Sequence, residues 1–486
     1  MSIENLAEEN GVKLYDLVII GSGSGNTIIG PEWDDKHVAL IDGGIFGGTC
    51  LNVGCIPTKM FVYPATIAAK TREVAALGVQ ASVQSVDWVG MRERIFGQRI
   101  DRISAGGRDW RAGLPNVDFY PEYARFTGTH ELVTSSGVRV RGRQVVVAAG
   151  SRAVLPEVPG IDLPQVHTND TMMRLENLPA RTVVLGGGVI AAEFAHVFSA
   201  LGSQVTQVHR SSTLLRGVDE EIVQRFESSA REQWTIATNH ALREIRPASD
   251  GAGTGAVTVV CEHEGRAVEF EADAVLVATG RTPNTDRLDA AQFFDVAECG
   301  SLRVDRYQRV LSDGEPVEGV YALGDVSSDH LLKHVANHQA RLVQHNLSHP
   351  HDLRADDNRP VPAAVFSHPQ IAYAGLTESE ARELAVSEGF EVRVKTQNYG
   401  DTAYGWAMED SVGALKLIAR ADTGQLLGAF AVGEEAATLI QPLVQAMTFD
   451  LDVHSMARGQ YWIHPALTEV VENALLGLEI GPQPAL

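Results

Sequence analysis

Apolar residues along this chain come in short unbroken runs more often than in alternation. LYDLVII (14–20), VALI (38–41), VVVAA (145–149), TVVL (182–185), VLVA (275–278) and VYAL (320–323) each end at or within two residues of a glycine or an acid. Runs of that length, apolar on both faces, are the pattern of parallel strands buried between layers of helix. VIAAEFAHVFSA (189–200) instead spaces its apolar residues as a helix does. After the polar, proline-punctuated stretch RADDNRPVP (354–362), the pattern becomes strands and helices in alternation without glycine-rich turns, as in an α+β unit.

The turns at the ends of the strand runs carry the chemistry. GSGSGN comes directly after LYDLVII, and the next strand ends at Asp42, 21 residues beyond Gly21. Strand, glycine turn, helix, strand and acid form the dinucleotide-binding pattern. Gly21 and Gly23 let backbone approach a pyrophosphate at a helix N-terminus, and the acid accepts the ribose hydroxyls. The third glycine position is Asn26, and Gly30 and Pro31 cut the intervening helix short. The pattern recurs over 181–210 as Gly186-x-Gly188-x-x-Ala191 with a full-length helix. Each unit is followed later by an apolar run ending in a glycine turn, at Gly150 and at Gly280, and ALGDV places Gly324 and Asp325 at the end of another. Duplication of a nucleotide-binding (Rossmann-like) unit is the simplest account. In the second unit the place of the acid holds His209, with Arg210 next and Arg216 six residues on. Two guanidinium groups suit a 2′-phosphate, so NADPH is expected over NADH.

Composition narrows the classes. The chain has 486 residues, too many for one core, and a formal net charge of −22. That charge argues against nucleic acid or an anionic membrane as a partner. No apolar run approaches the roughly 18 residues of a membrane span. The N-terminal MSIENLAEENGVKL is acidic, without the features of a signal or transit peptide, and reads as a short disordered extension before a cytoplasmic domain. Four cysteines do not make a secreted disulfide framework. Two of them, Cys50 and Cys55, stand in GGTCLNVGCIPTK. The spacing does not suit structural zinc, and no metal is expected. The chain can curl between them at Asn52 and Gly54. Cys55 enters IPTKMFVYPATIAAK with Pro57 in the first turn, where dipole and free amides favour a thiolate. Cys50 is then placed to meet substrate, and Cys55 to lie as thiolate against an electron-deficient group. Cys261 and Cys299 lack partner spacing and read as inert.

With two nucleotide units and GGTCLNVGCIPTK, continued by GGGVIAAE, ATGRTPN, ALGDV and HPALTE, the chain resembles the disulfide reductases of the glutathione reductase and lipoamide dehydrogenase type. The resemblance implies two dinucleotide-binding domains, the second inserted in the first, and a C-terminal α+β dimerisation domain. The implied boundaries are 1–165 and 296–360 for the FAD-binding domain, 166–295 for the NADPH-binding domain and 361–486 for dimerisation. It implies FAD at Gly21, Gly23, Asp42, Thr49, Lys59, Gly150, Gly324 and Asp325. The nicotinamide cofactor would lie at Gly186, Gly188, Glu193, Arg210, Arg216 and Gly280, and Lys59 would pair with Glu193 near the flavin. His464 matches the acid–base histidine and Glu469 the carboxylate that orients it; a histidine also has the right pKa to hold and return a thiol proton. In the family this histidine acts across a homodimer interface. No cysteine stands beyond Cys299 to relay electrons, so a small disulfide is favoured over a folded protein. Mycothiol disulfide is implied first, with lipoamide or glutathione disulfide as alternatives. A flavin-binding sensor without turnover would have no need of His464 and Glu469 in register with two cysteines.

Overall fold

The apolar runs pair side by side in the computed structural model, which describes residues 8–248, 255–357 and 360–480. Val12–Ile20 lies parallel to Val38–Ile41 on one side and to Arg139–Val147 on the other. Val117–Tyr120 and Glu315–Ala322 extend this sheet outward, again in parallel. Leu17, Val18 and Ile19 are wholly buried because both faces of the sheet are covered. Between Arg139–Val147 and Glu315–Ala322 the chain leaves to build a second sheet. Its five strands, Thr235–Ala237, Gln204–Val208, Arg181–Leu185, Ala274–Val277 and Val166–His167, are all parallel. The second unit is therefore inserted in the first, and the outgoing and returning segments run antiparallel as the ribbon Ser151–Ala153 with Arg281–Pro283.

The C-terminal part is a five-stranded antiparallel sheet in the order Ala363–Val365, Gln370–Gly375, Leu426–Gly433, Ala414–Arg420, Val392–Asn398. Alternation along one strand assigns its two faces. Leu415, Leu417 and Ala419 pack under helices Gln441–Thr448, Val453–Arg458 and Glu469–Leu476, while Ala414 and Ile418 join the core of the inserted unit. Lys416 lies on that second face, buried, and its ammonium meets Glu378 at 2.7 Å and Asp219 at 3.0 Å. Asp219 caps helix Glu220–Gln233 of the inserted unit, so one lysine ties the two parts together.

The N-terminal region agrees with its sequence at one point and departs from it at another. The first unit has no full helix after its glycine turn: only the 3₁₀ turns Gly25–Ile28 and Pro31–Trp33 stand there, as Gly30 and Pro31 lead one to expect. The disordered extension is corrected for the residues described. Glu8–Glu9 pairs antiparallel with Val12–Lys13, closed by Asn10 and Gly11, both at positive φ, an Asn-Gly hairpin signal present in the sequence. Residues 1–7 lie outside the described residues, as do 358–359 of the polar stretch before the C-terminal part. No helix among the described residues is long and apolar enough to cross a membrane.

Removing the Lys416 ammonium leaves the buried Asp219 carboxylate with backbone amides but no cation. Lys416→Ala should cost about 3–5 kcal/mol, read as a lower first transition in guanidinium unfolding. A loss under about 1 kcal/mol would mean the contact is dispensable.

Candidate active site

The first glycine turn is shaped by close approaches. Gly21 takes φ 107°, and a Cβ on it would lie 2.2 Å from the Ala148 carbonyl oxygen. Gly25 does the close packing expected of the third glycine: a Cβ there would lie 2.7 Å from Ala148 Cβ. The working spacing is thus Gly-x-Gly-x-Gly, and Asn26 serves a different end. Its Oδ1 accepts from Arg111 Nε at 2.8 Å and its carbonyl from Nη2 at 3.0 Å. Arg111, buried on helix Asp101–Ala112, braces the turn where the helix is missing. Asp42 accepts from the Ser22 amide at 2.7 Å and the Gly44 amide at 2.8 Å, and its Oδ1 keeps a lone pair for a ribose hydroxyl.

Across the turn stands a cation. Lys333 begins helix Lys333–Ser348 and donates to Ser24 Oγ at 2.7 Å, so an ammonium and a helix N-terminus converge on the glycine backbone. Gly23 and Gly48 pass backbone to backbone; a Cβ on Gly48 would lie 2.8 Å from Gly23 Cα. Gly150 and Gly324 take positive φ at the ends of their strands, and Asp325 accepts from Ser151 Oγ at 2.6 Å. Open glycine backbone, a free carboxylate lone pair and a lysine at a helix start fit a dinucleotide such as FAD. Arg111 and Lys333 escaped sequence reading because their partners lie 85 and 309 residues away, with no local motif to mark them.

The cysteines sit on two consecutive helices. Cys50 is half-buried in the short helix Gly48–Asn52, and Cys55 is exposed as the first residue of Cys55–Lys70. Asn52, buried between them, donates to the carbonyls of Phe46 at 2.9 Å and Gly48 at 3.0 Å and holds the curl. Thr49 is exposed beside Cys50, and its carbonyl accepts from the Val53 amide at 2.9 Å. The two thiols differ in acidity. Contact with Cys55, then burial, pushes the Cys50 thiol well up. The hydrogen bond from Cys50, with Lys59 after it, holds the Cys55 thiol down at about 7 against burial. A backbone amide at the helix start lowers it too, as the sequence pointed to, but after the partner thiol and Lys59.

Helix Cys55–Lys70 packs on helix Val189–Ala200 of the inserted unit. Lys59 Nζ lies 2.6 Å from Glu193, which is buried and also accepts from the Phe366 amide at 3.0 Å. At the second glycine turn a Cβ on Gly186 would lie 2.3 Å from the Ala278 carbonyl oxygen, while Gly188 and Gly280 face open space. His209 packs its ring against Gly187, and burial, followed by Arg216, lowers its pKa. Arg210 and Arg216 are exposed, and among the described residues neither makes an ion pair. The position of the acid in an NAD site, just after strand Gln204–Val208, is held by His209, with two guanidinium groups that make no ion pair among the described residues following it in the chain.

His464 is well exposed, with 70% of its side chain accessible, and its Nδ1 lies 2.6 Å from Glu469 Oε1. Glu469 opens helix Glu469–Leu476 and also accepts from the Ala466 amide at 3.2 Å. The structure pairs these two with each other but gives neither a hydrogen bond to Cys50 or Cys55 among the described residues. Tyr461 and Ile463, just before the histidine in the chain, are both exposed. Cys261 is buried, and burial raises its thiol to about 11; Cys299 is exposed and its thiol is lowered by contact with Ser301.

Two nucleotide-binding units meeting at a helix headed by Cys55, with Cys50 in the turn of helix before it, fit an oxidoreductase that exchanges electrons between a pyridine nucleotide and a disulfide. The chain belongs to the pyridine nucleotide-disulfide oxidoreductases: that family's model matches residues 15–345 and its dimerisation domain residues 361–475. It is 49% identical to mycothione reductase of Mycobacterium tuberculosis over 96% of this chain and all of the relative. It is 31% identical to dihydrolipoyl dehydrogenase of Synechocystis over 95% of this chain and 98% of that one. Among solved structures, the Cu(II) complex of the HOCl-induced flavoprotein disulfide reductase RclA from Escherichia coli superposes with a TM-score of 0.82. It is 27% identical and covers 96% of this chain and 99% of that chain. The protein is thus an enzyme, a flavoprotein disulfide reductase that uses FAD and NAD(P)H and forms a homodimer.

In the two-electron-reduced enzyme, long-wavelength absorbance from the Cys55 thiolate against the flavin should grow as pH rises through about 7, since the charged form dominates above its pKa. Lys59→Met removes a cation and should move that midpoint upward. A parent midpoint near the ordinary cysteine value of about 8.5 would contradict the assignment.

Proposed function

We propose that this protein reduces mycothiol disulfide with NADPH, using Cys50 and Cys55 as its redox pair. The observation that carries the reading is the pair itself, two thiols on consecutive helices joined by a curl that Asn52 holds, with opposed acidities. The 49% identity to a mycothione reductase across nearly the whole chain supports the substrate over lipoamide, whose dehydrogenase stands at 31%. Glutathione disulfide remains a weaker alternative. The free Arg210 and Arg216, with His209 where an acid would be, support NADPH. A pair that must be re-reduced in every cycle suits the cytoplasm, where thiols are kept reduced.

Gly21, Gly23, Asp42 and Lys333 would hold FAD, which would supply the hydride-accepting and electron-pair-donating chemistry between nicotinamide and disulfide. The chain's own groups do the rest. Cys50 is a suppressed acid, so its thiol needs a base, and the partner subunit's His464, oriented by Glu469, takes that proton. The exposure of the His464 ring beside Tyr461 and Ile463 suits a face that a second subunit covers. The Cys50 thiolate attacks one substrate sulfur, the S–S bond breaks, and a mixed disulfide forms. The departing thiolate takes the proton from the imidazolium. Cys55, already ionised near neutral pH, then attacks Cys50 sulfur, expels the second thiolate and restores the Cys50–Cys55 bond.

Cys50→Ser should abolish disulfide turnover yet keep the long-wavelength band, whereas Cys55→Ser should lose both. Retention of the band in Cys55→Ser would reverse the two roles.

Replacing Arg210 and Arg216 together should raise the NADPH KM by on the order of tenfold or more, with little change for NADH, since each charge-assisted bond is worth roughly 1.5–3 kcal/mol. Equal kinetics with both cofactors in the parent enzyme would defeat the NADPH assignment.

His464→Gln should slow the disulfide half-reaction by about 10²–10⁴-fold and leave flavin reduction near normal. Mixing inactive His464→Gln with inactive Cys50→Ser should recover activity after subunit exchange, because one hybrid site carries both intact groups. Exchange verified without recovery would place the histidine's action within one chain.

A further inference from the structure

The ribbon that joins the two nucleotide units holds a charged group outside the thiol chemistry. Arg281, the arginine of ATGRTPN, lies in it opposite Ala153. Its Nε donates to Ser151 Oγ at 2.8 Å, its Nη2 to the Ser151 carbonyl at 2.7 Å, and its Nη1 to Asn169 Oδ1 at 3.4 Å. On one side, Ser151 Oγ donates in turn to Asp325 at 2.6 Å. On the other, Asn169 Nδ2 donates to the Val53 carbonyl at 2.9 Å. Val53 stands between Cys50 and Cys55, at the C-terminal cap of helix Gly48–Asn52.

Donor and acceptor chemistry gives this chain of bonds one direction. A guanidinium only donates and a backbone carbonyl only accepts, so Asn169 must turn its oxygen to Arg281 and its nitrogen to Val53. The Ser151 hydroxyl, which accepts from Arg281, must point its hydrogen at Asp325. Ser151 and Asn169 are buried, so a broken link leaves a polar group without water to replace the partner. The Val53 carbonyl lies at a helix end, where it has no intrahelical donor, and the bond from the inserted unit fixes it.

We infer that Arg281 and Asn169 are positioning residues that tie the seat of the inserted nicotinamide unit to the geometry of the Cys50–Cys55 loop, with Asp325 at the far end of the same hydrogen-bond chain. The inference rests on the reading of Cys50 and Cys55 as a redox pair. A disulfide demands a narrow Cβ–Cβ separation, so a loop pinned at Val53 favours the closed bond more than a free loop does. Releasing the pin should shift the pair toward the dithiol.

The test equilibrates the FAD-loaded enzyme in dithiothreitol redox buffers, traps thiols by alkylation and measures the Cys50–Cys55 disulfide by mass spectrometry, without turnover. Asn169→Ala and Arg281→Met should each shift the equilibrium about tenfold toward the dithiol, about 30 mV. The double variant should shift it no further than the larger single effect, because both break one chain. Arg281→Lys, which keeps one donor, should restore part of the shift. Midpoints within twofold of the parent, or single effects that add, would overturn the strut. If Arg281→Met fails to fold, Asn169→Ala decides, since it leaves Ser151 and Asp325 untouched. A parent enzyme that forms no Cys50–Cys55 disulfide at any poise would overturn the redox-pair reading itself, and the strut with it.

Discussion

The docking of helix Cys55–Lys70 on helix Val189–Ala200 is the contact on which the rest depends. Its polar centre is the ion pair of Lys59 with Glu193, 2.6 Å apart beside the Phe366 ring. Glu193 is buried, and a buried carboxylate without a cation costs several kcal/mol, so the helices have one low-energy register in which these side chains meet. That register sets the first unit, which carries the cysteines, against the second, which carries the Gly186 turn. The Phe366 amide adds the C-terminal part to the same carboxylate. All three parts of the chain therefore converge on one residue. The same lysine lowers the Cys55 thiol, so the contact that assembles the site also contributes to its chemistry.

The sequence showed clearly whatever is local. Both glycine turns, the acid at Asp42 and the cysteine helix each occupy a few consecutive positions, and the strands around them are continuous apolar runs that only a sheet covered on both faces explains. Long-range partners were not legible. Arg111 bracing Asn26, Lys333 at Ser24, Lys416 between Asp219 and Glu378, and Arg281 bridging Ser151 and Asn169 look like surface charges in a linear reading. Only the fold shows which distant acceptor each one meets. Asn26 appeared as a flaw because the third glycine was sought one position late; Gly25 does that packing. The Asn10–Gly11 turn was a local signal that the acidic composition around it obscured.

The two thiols show how a small geometric difference becomes a division of labour. Both lie within one turn-and-helix segment, yet the one inside the curl is pushed up and the one at the helix start is held down, chiefly by each other. A pair of equivalent thiols would give no order to the exchange; the opposed directions here fit the proposed roles, with Cys55 the more acidic and Cys50 in need of a base. The well-exposed His464, already oriented by Glu469 but without a partner thiol in its own chain among the described residues, is the complement of that need. On the proposed roles, the thiols would find their base only in a second copy of the chain, which would give the dimer a chemical purpose.

At the centre stands the proposal that Cys50 and Cys55 form and break one bond in each catalytic cycle. Anaerobic addition of one equivalent of NADPH per active site, followed by alkylation and peptide mass spectrometry, tests it most directly. A Cys50–Cys55 disulfide is expected before the addition and two alkylated cysteines at those positions after it, with Cys261 and Cys299 unchanged. Full flavin bleaching with Cys50 and Cys55 free and unlinked throughout would contradict it.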